Sequence, residues 1–512
     1  MIKKLILLCA MLHIGSIQAE VTLSKIGTYT TNLGEGSAEI SSYDAASQRL
    51  FVINSTFGSF SIIDFSNPAL PSLISNIDIT AIGPGVTSIA VFDGLVAVAI
   101  PAINVTDDGK VAFFDINGGL LNQVTVGALP DMLTFNHLGN KVLVANEGEP
   151  DNGINPDGSV SVIELTNGVN NATVNNIFFT DFNSDQSRAD ELPANVIVFP
   201  GNSVSQDLEP EYISILSNDS KAFVTLQENN AVAVINLENQ TIDAIHGLGF
   251  KDHSLNGNEL DPSNQDSMQG EGSIQIANWP IFGMYQPDSI ATYSANNNNY
   301  YLTANEGDAR DEDQRIKDLI LDTSAFPNAV ELQSNAQLGR LNVSSVLGDE
   351  DNDMDFDKLY AYGARSFSIW IAQTGAQVFD SGNQFEKQIS IQAPEIFNSN
   401  GGTIDSFDSR SDDKGPEPEG IIVAEIESQH YAFIGLERVG GIMVYNITDP
   451  ANAVFERYQP STDGDQAPEG LLFIKSSENS TGKNLLLVSH EDSGTVAIYA
   501  VNSTIFKNGF EL

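Results

Sequence analysis

One pattern recurs seven times along this 512-residue chain, and it constrains the fold more than any other feature. A proline–acid pair opens a strand and a short turn follows. An apolar strand then runs to a glutamate, and a Gly-containing turn leads into an alternating strand. Pro130-Asp131 opens MLTF, followed by KVLVANEGEP and GSVSVIEL; Pro210-Glu211 opens YISIL, followed by KAFVTLQENN and AVAVINL. Pro287-Asp288, Pro418-Glu419 and Pro468-Glu469 open later copies, whereas two early copies, AEISSYD and TSIAVFD, lack the proline. Each copy holds three or four short strands rich in Val, Ile, Phe and Tyr. One such unit cannot cover both faces of its sheet, and radial stacking of neighbours covers them while leaving only short edges. The expectation is an all-β, seven-bladed β-propeller within residues 20–502. The last copy ends after its third strand, TVAIYAV, and the orphan strand VTLSKIGTYT near the start supplies a fourth. The ring then closes by pairing of N- and C-terminal strands. The gap between YYLTANEGDAR and RSFSIW predicts a loop excursion over residues 309–358, with a short helix near Asp311 to Leu321.

The chain opens as a secretory leader does. Lys3-Lys4 precede the apolar run Leu5 to Ile14, and Ile17-Gln18-Ala19 offers a small residue at the cut, so residues 1–19 read as a signal peptide. The one cysteine, Cys9, lies inside it, which removes disulfides, thiol catalysis and Cys-ligated zinc from the exported chain. No later run approaches the ~18 apolar residues of a spanning helix, so no membrane insertion is expected. Residues 503–512 form a short tail. With 23 Lys and Arg against 68 Asp and Glu, the formal net charge is −45. Binding nucleic acid or an anionic membrane surface needs the opposite balance, so both are excluded as partners, and cations are favoured.

The repeat places acids in two sets. Asp131, Glu211, Asp288, Glu419 and Glu469 start the first strands, with Glu39 in the first copy; Glu147, Glu228, Glu306, Glu437 and Glu491 follow the second strands. In a propeller the first strands line the central channel, so these acids are expected to converge near one mouth. Carboxylates so clustered repel one another and their pKa values rise unless cations sit between them. Hard cations want several oxygens, which points to calcium or a mixed-metal centre; the structural alternative is acids that accept backbone N–H bonds at turns. Arg310, Arg365, Arg410 and Arg438 lie beside these motifs and can neutralise part of the ring.

A second acidic feature is local. Asp349, Asp351, Asp353, Asp355 and Asp357 occupy every second position of GDEDNDMDFD, and alternate Asp side chains on a tight loop can wrap one Ca²⁺. The run lacks the glycine and the helix pair of an EF-hand, and a solvated acidic loop is the alternative. Weaker candidates are Asp151 to Asp157, and Asp252, Asp261 and Asp266. No G-x-S-x-G elbow, P-loop, dinucleotide fingerprint or paired-histidine spacing occurs. Trp279 and Trp370 read as packing residues.

Several blocks carry a resemblance over nearly the whole exported chain: LPDMLTFNHLGNKVLVANEGEP, YYLTANEGDARD, YGARSFSIW, FDSRSDDKGPEPEGI and YAFIGLERVGGIMVYNITDP. They resemble the choice-of-anchor I domain family, related to mesenchyme-specific cell-surface glycoproteins. That resemblance implies an exported, surface-associated, propeller-like domain, and some bacterial members carry the label alkaline phosphatase. Two function classes follow. One is a calcium-stabilised cell-surface or matrix protein that binds ions or surface polymers. The other is a metal-dependent phosphoesterase acting on phosphate esters. In that class Asp131, Glu147, Asp288, Glu306, Glu419 and Glu437 would hold the metals, and Arg410, Lys414 or Arg438 would grip the phosphate.

Overall fold

The computed structural model describes residues 19–310 and 312–505. The expected signal peptide up to residue 18 and the end of the tail from residue 506 lie outside the described residues. What is described is all-β, with Gln384–Gln392 the longest helix among the described residues.

Seven four-stranded antiparallel sheets follow one another along the chain. We number them I to VII by their first strands: Ser41–Asp44, Ser88–Phe92, Pro130–Phe135, Pro210–Ile215, Ile290–Ala295, Pro418–Ile426 and Pro468–Ile474. Second strands such as Lys141–Asn146 and Lys221–Leu226 are buried at every residue after the first, because neighbouring sheets cover both faces. Fourth strands are the most exposed, and Ser72–Asp78 buries none of its residues fully. The first strands lie side by side in the order I to VII, and the first strand of VII also touches that of I. Apolar layers fill each gap. Ala97, Phe113, Leu133 and Val144 join II to III; Phe223, Val234, Tyr301 and Trp370 join IV to V. Leu50, Val52, Leu485 and Ile498 join VII to I. Each fully buried Val, Leu, Ile or Phe among them contributes roughly 1.5–3 kcal/mol. The outermost strand of sheet VII is Ala19–Thr30, antiparallel to Thr495–Ile505 with one bulge between Lys25 and Gly27.

Between Asn298–Asn305 and Ser366–Ile371 of sheet V the chain makes a long excursion. It is more than a loop. Its strands Asp313–Arg315, Asn342–Ser344 and Tyr360–Ala361 form a five-stranded sheet with Phe250–Asp252 and Phe282–Met284, which precede sheet V. The expected helix near Leu321 is also absent there: a strand and the 3-10 turn Ile316–Asp318 take its place. The backbone of Arg315 pairs with Asn342, and its guanidinium reaches the Asp412 carbonyl at 2.6 Å. Those contacts come from far along the chain and override local helical preference.

Two local devices aim the acids. In sheets III, IV, VI and VII the ladder is interrupted immediately after the opening proline, between Pro130 and Leu133, Pro210 and Ile213, Pro418 and Ile421, and Pro468 and Leu471. Proline cannot donate to the ladder, and a bulge re-aims the side chains it contains; those are the acids Asp131, Glu211, Glu419 and Glu469. At the end of the second strand a buried asparagine donates to a serine of the third: Asn146 to Ser161 at 2.9 Å, Asn305 to Ser368 at 2.9 Å, Asn54 to Ser61 at 3.1 Å. In sheets III and V the next residue is the turn acid, Glu147 or Glu306, so the acid leaves from a fixed point.

Candidate metal centre

The first-strand acids meet. Asp131, Asp288, Glu419 and Glu469, from four different sheets, line one cavity of about 120 Å³ together with Ser88, Tyr212 and Gly420. Tyr212 also borders a wider basin of about 550 Å³, lined by far ends of the same strands, including Ile215, Tyr293 and Val423. Burial pushes Asp131 up to about 7. Burial, then Glu437, Glu306, Asp288 and Glu469, raise Glu419 well above the carboxylate range. Glu469 is raised by burial and by Glu39, Glu491, Asp288 and Glu437. Asp288 is raised by burial and by Glu306, Asp131 and Glu437, against the opposing charge of Lys414. Glu211, Glu419 and Glu469 each keep one buried carboxylate oxygen without a hydrogen-bond partner. Four acids around one small polar cavity can hold protons, water or a cation.

Four of the turn acids gather into two triads, each completed by a glutamate that precedes a first strand. Oxygens of Glu306, Glu417 and Glu437 lie within 4.8 Å of one another, as do oxygens of Glu147, Glu209 and Glu228. Glu417 is fully buried and stands at φ +52°, a left-handed conformation uncommon outside glycine. Around it sit Arg410 at 2.7 Å, Lys414 at 3.2 Å and Arg438 at 3.5 Å. Lys414 also reaches Glu306 at 2.7 Å, and Arg438 reaches Glu437 at 2.9 Å. Burial by itself raises the Glu417 carboxyl, but Lys414, Arg410 and Arg438 together hold it below the usual range. Glu437 is pushed up to about 8, by burial first and then by Glu306 and Glu417. The three cations read as phosphate-gripping candidates therefore already face carboxylates. Arg310 also pairs within the acid cluster, whereas Arg365 turns away and pairs with buried Glu386 at 2.6 Å.

The exposed loop is separate from this centre. Oxygens of Asp349, Asp351 and Asp353 lie within 4.8 Å of one another, and that grouping does not extend to Asp355 and Asp357. Asp349 accepts from the backbone N–H groups of Asp353 at 3.1 Å and Met354 at 3.0 Å, and Asp357 accepts from Glu350 at 2.9 Å. Asn352 and Met354, at φ +62° and +76°, make the sharp turn for which an EF-hand uses glycine. Of the weaker candidates, Asp261 is buried and accepts the Gln275 N–H at 2.5 Å, Asp266 accepts from Ser273 at 2.7 Å, and Asp252 caps Ser254 at 2.9 Å. Trp370 is core, donating to Thr303 at 2.9 Å.

Sequence reading missed Glu209 and Glu417. Both stand two residues before a first-strand acid, in Glu-Pro-Glu; the three equivalent positions ahead of the other opening prolines are Leu129, Gln286 and Ala467. That doubled acid was the signal.

Seven repeated four-stranded sheets define the class of chain. The choice-of-anchor I domain model matches residues 39–450, and the chain belongs to that family. Gigasin-3a of Magallana gigas is 34% identical over 190 residues, covering 33% of this chain and 66% of its own length. A mesenchyme-specific cell surface glycoprotein of Strongylocentrotus purpuratus is 27% identical over 341 residues, covering 59% of this chain and 42% of its own. The chain thus spans less than two thirds of both curated relatives. Among solved structures, the WD40 domain of Toxoplasma gondii coronin aligns at TM-score 0.46 and 7% identity, covering 96% of this chain and 90% of that one. Among the described residues, no helix is long and apolar enough to cross a membrane.

Proposed function

We propose that this chain is an exported, calcium-binding, seven-bladed β-propeller that acts at a cell surface or in an extracellular matrix as a binding protein. The seven sheets are its blades, and Ala19–Thr30 on Thr495–Ile505 is the seam that closes the ring; the cyclic contacts of the first strands support this. The observation that carries the calcium reading is the Asp349–Asp351–Asp353 cluster, three carboxylates on one short exposed loop whose backbone is already folded around them. Three carboxylates on a preformed loop suit a hard cation held at about 0.1–1 mM affinity, the regime of extracellular modules. The surface location rests on the family and on the cell-surface relative. A net charge of −45 fits a protein kept soluble and monodisperse among cations.

The phosphoesterase reading asks for a metal with an open face and a free cationic group beside it. Arg410, Lys414 and Arg438 are each ion-paired, which favours the binding reading. Calcium titration of the purified protein by calorimetry, with antibody staining of intact and permeabilised cells, tests the proposal. Calcium binding together with staining of intact cells supports it. Heat-free titration, or staining that needs permeabilisation, overturns it.

A further inference from the structure

The two buried triads are built from matching places. Each takes one glutamate from the turn after the second strand of one sheet, Glu147 of III or Glu306 of V. Each takes two more from the next sheet: the residue two before the first-strand acid, Glu209 or Glu417, and the turn acid, Glu228 or Glu437. Their cations differ. The V–VI triad has Arg410, Lys414 and Arg438 against its three carboxylates. The III–IV triad has Arg310, the one cation paired with any of its members among the described residues. That guanidinium is shared: it lies 2.9 Å from Asp207, 2.7 Å from Glu209 and 3.9 Å from Glu228. Glu209 is 2% exposed, and its Oε1 finds no hydrogen-bond partner; neither does Oε2 of neighbouring Glu211, 9% exposed. Buried carboxylate oxygens left unpaired carry their full desolvation cost, and each wants a proton or a cation.

We propose that Glu147, Glu209 and Glu228 form a site for a divalent, oxygen-preferring cation of the calcium class. In the V–VI triad, arginine and lysine side chains stand where that cation stands between III and IV. Three glutamates offer up to six oxygens, and Glu211 lies close enough to couple to Glu228; such a set suits a hard ion that takes about 6–8 oxygens. This site goes beyond the exposed loop and does not depend on it.

The decisive measurement is calcium calorimetry at about pH 8, where fewer protons compete with the ion than at neutral pH. The chain carrying Asp351→Asn with Asp353→Asn lacks the exposed loop site. It should still bind one ion per chain. Adding Glu147→Gln or, separately, Glu209→Gln should weaken that binding at least about tenfold, the lower end of what even an outer partner costs a metal site. Glu331→Gln, on an exposed turn far along the chain, should leave it unchanged. The inference is overturned if the loop variant binds no calcium. It is equally overturned if its residual binding survives both glutamate substitutions. The loop variant alters exposed residues only, so its result stands even if Glu209→Gln does not fold.

Discussion

Lys414 bridges two sheets through one carboxylate: its Nζ stands 2.7 Å from Oε1 of Glu306, which follows the second strand of sheet V, while Lys414 itself precedes sheet VI. Its other partner, Glu417, completes a buried network in which three cations neutralise three glutamates.

Breaking that network strands buried charge. Glu417→Gln should destabilise the chain by about 3–5 kcal/mol, the usual cost of removing one member of a buried pair. Glu350→Gln, which loses an exposed pair with Lys358 (side chains 53% and 40% exposed), should cost about 0–1 kcal/mol. Urea denaturation measures both; equal midpoints for the two variants would refute a stabilising role for the network.

Stability should fall as pH rises when cations are removed. Folded-state values are pushed up to about 7 for Glu39 and Asp131, about 8 for Glu437 and about 9 for Glu209. Burial comes first in every case. The folded chain therefore holds protons that the unfolded chain has released above about 4 to 5. That stabilisation is complete at lower pH and is lost as pH climbs towards about 9. The lowered Glu417 and the buried, lowered His246, His253 and His490 act oppositely below about pH 6.5, so the decline is steepest above it. Melting temperatures in chelator should decline from about pH 5 to pH 9, and calcium should flatten the decline. A melting temperature that rises across this range would contradict the assignment.

Chelation should lower the melting temperature at neutral pH and calcium should restore it. A ligand at a hundredfold excess over Kd stabilises by about 2.7 kcal/mol. Asp351→Asn with Asp353→Asn should shrink the effect without abolishing it, because the buried triad remains. Identical melting curves with and without chelator would remove calcium from the description.

No turnover of an aryl phosphate is expected with Ca²⁺, Fe or Zn supplied. If wild type does cleave it, the enzyme reading makes a sharp demand. Glu419→Gln and Arg438→Ala must then fold normally and lose about 100-fold or more in kcat, as loss of a key electrostatic group does.

The seam carries its own test. Val21 and Leu23 of the N-terminal strand are buried against Tyr431, Val444 and Tyr499. Val21→Asp should cost about 3 kcal/mol or more, since it buries an unpaired charge where a methyl group packed. If thermal unfolding of that variant matches wild type, residues 19–30 are not part of the closure.

Some of this was written locally in the chain. The proline–acid pairs fix where first strands begin, because proline has no N–H to give and its φ is preset; the bulge behind each pair follows. Alternation and apolar runs fix the strands themselves, and the alternate aspartates fix the exposed loop, since all their partners lie within eight residues. The seven-fold pattern gave the acids their two common levels. Other features depend on distance. Glu147 meets Glu209 and Glu306 meets Glu417 only because adjacent sheets stack at a particular angle, and no local period encodes which turns then touch. The cations of the V–VI triad arrive on a segment more than a hundred residues from Glu306, and their charges found carboxylates rather than an open cleft. The excursion became part of a sheet because the strand Phe282–Met284 offered a backbone edge to Tyr360–Ala361. Local sequence sets what each residue can donate, accept or bury; only the folded chain decides which of them end up within four ångströms, where charge is either neutralised by protein or left for an ion.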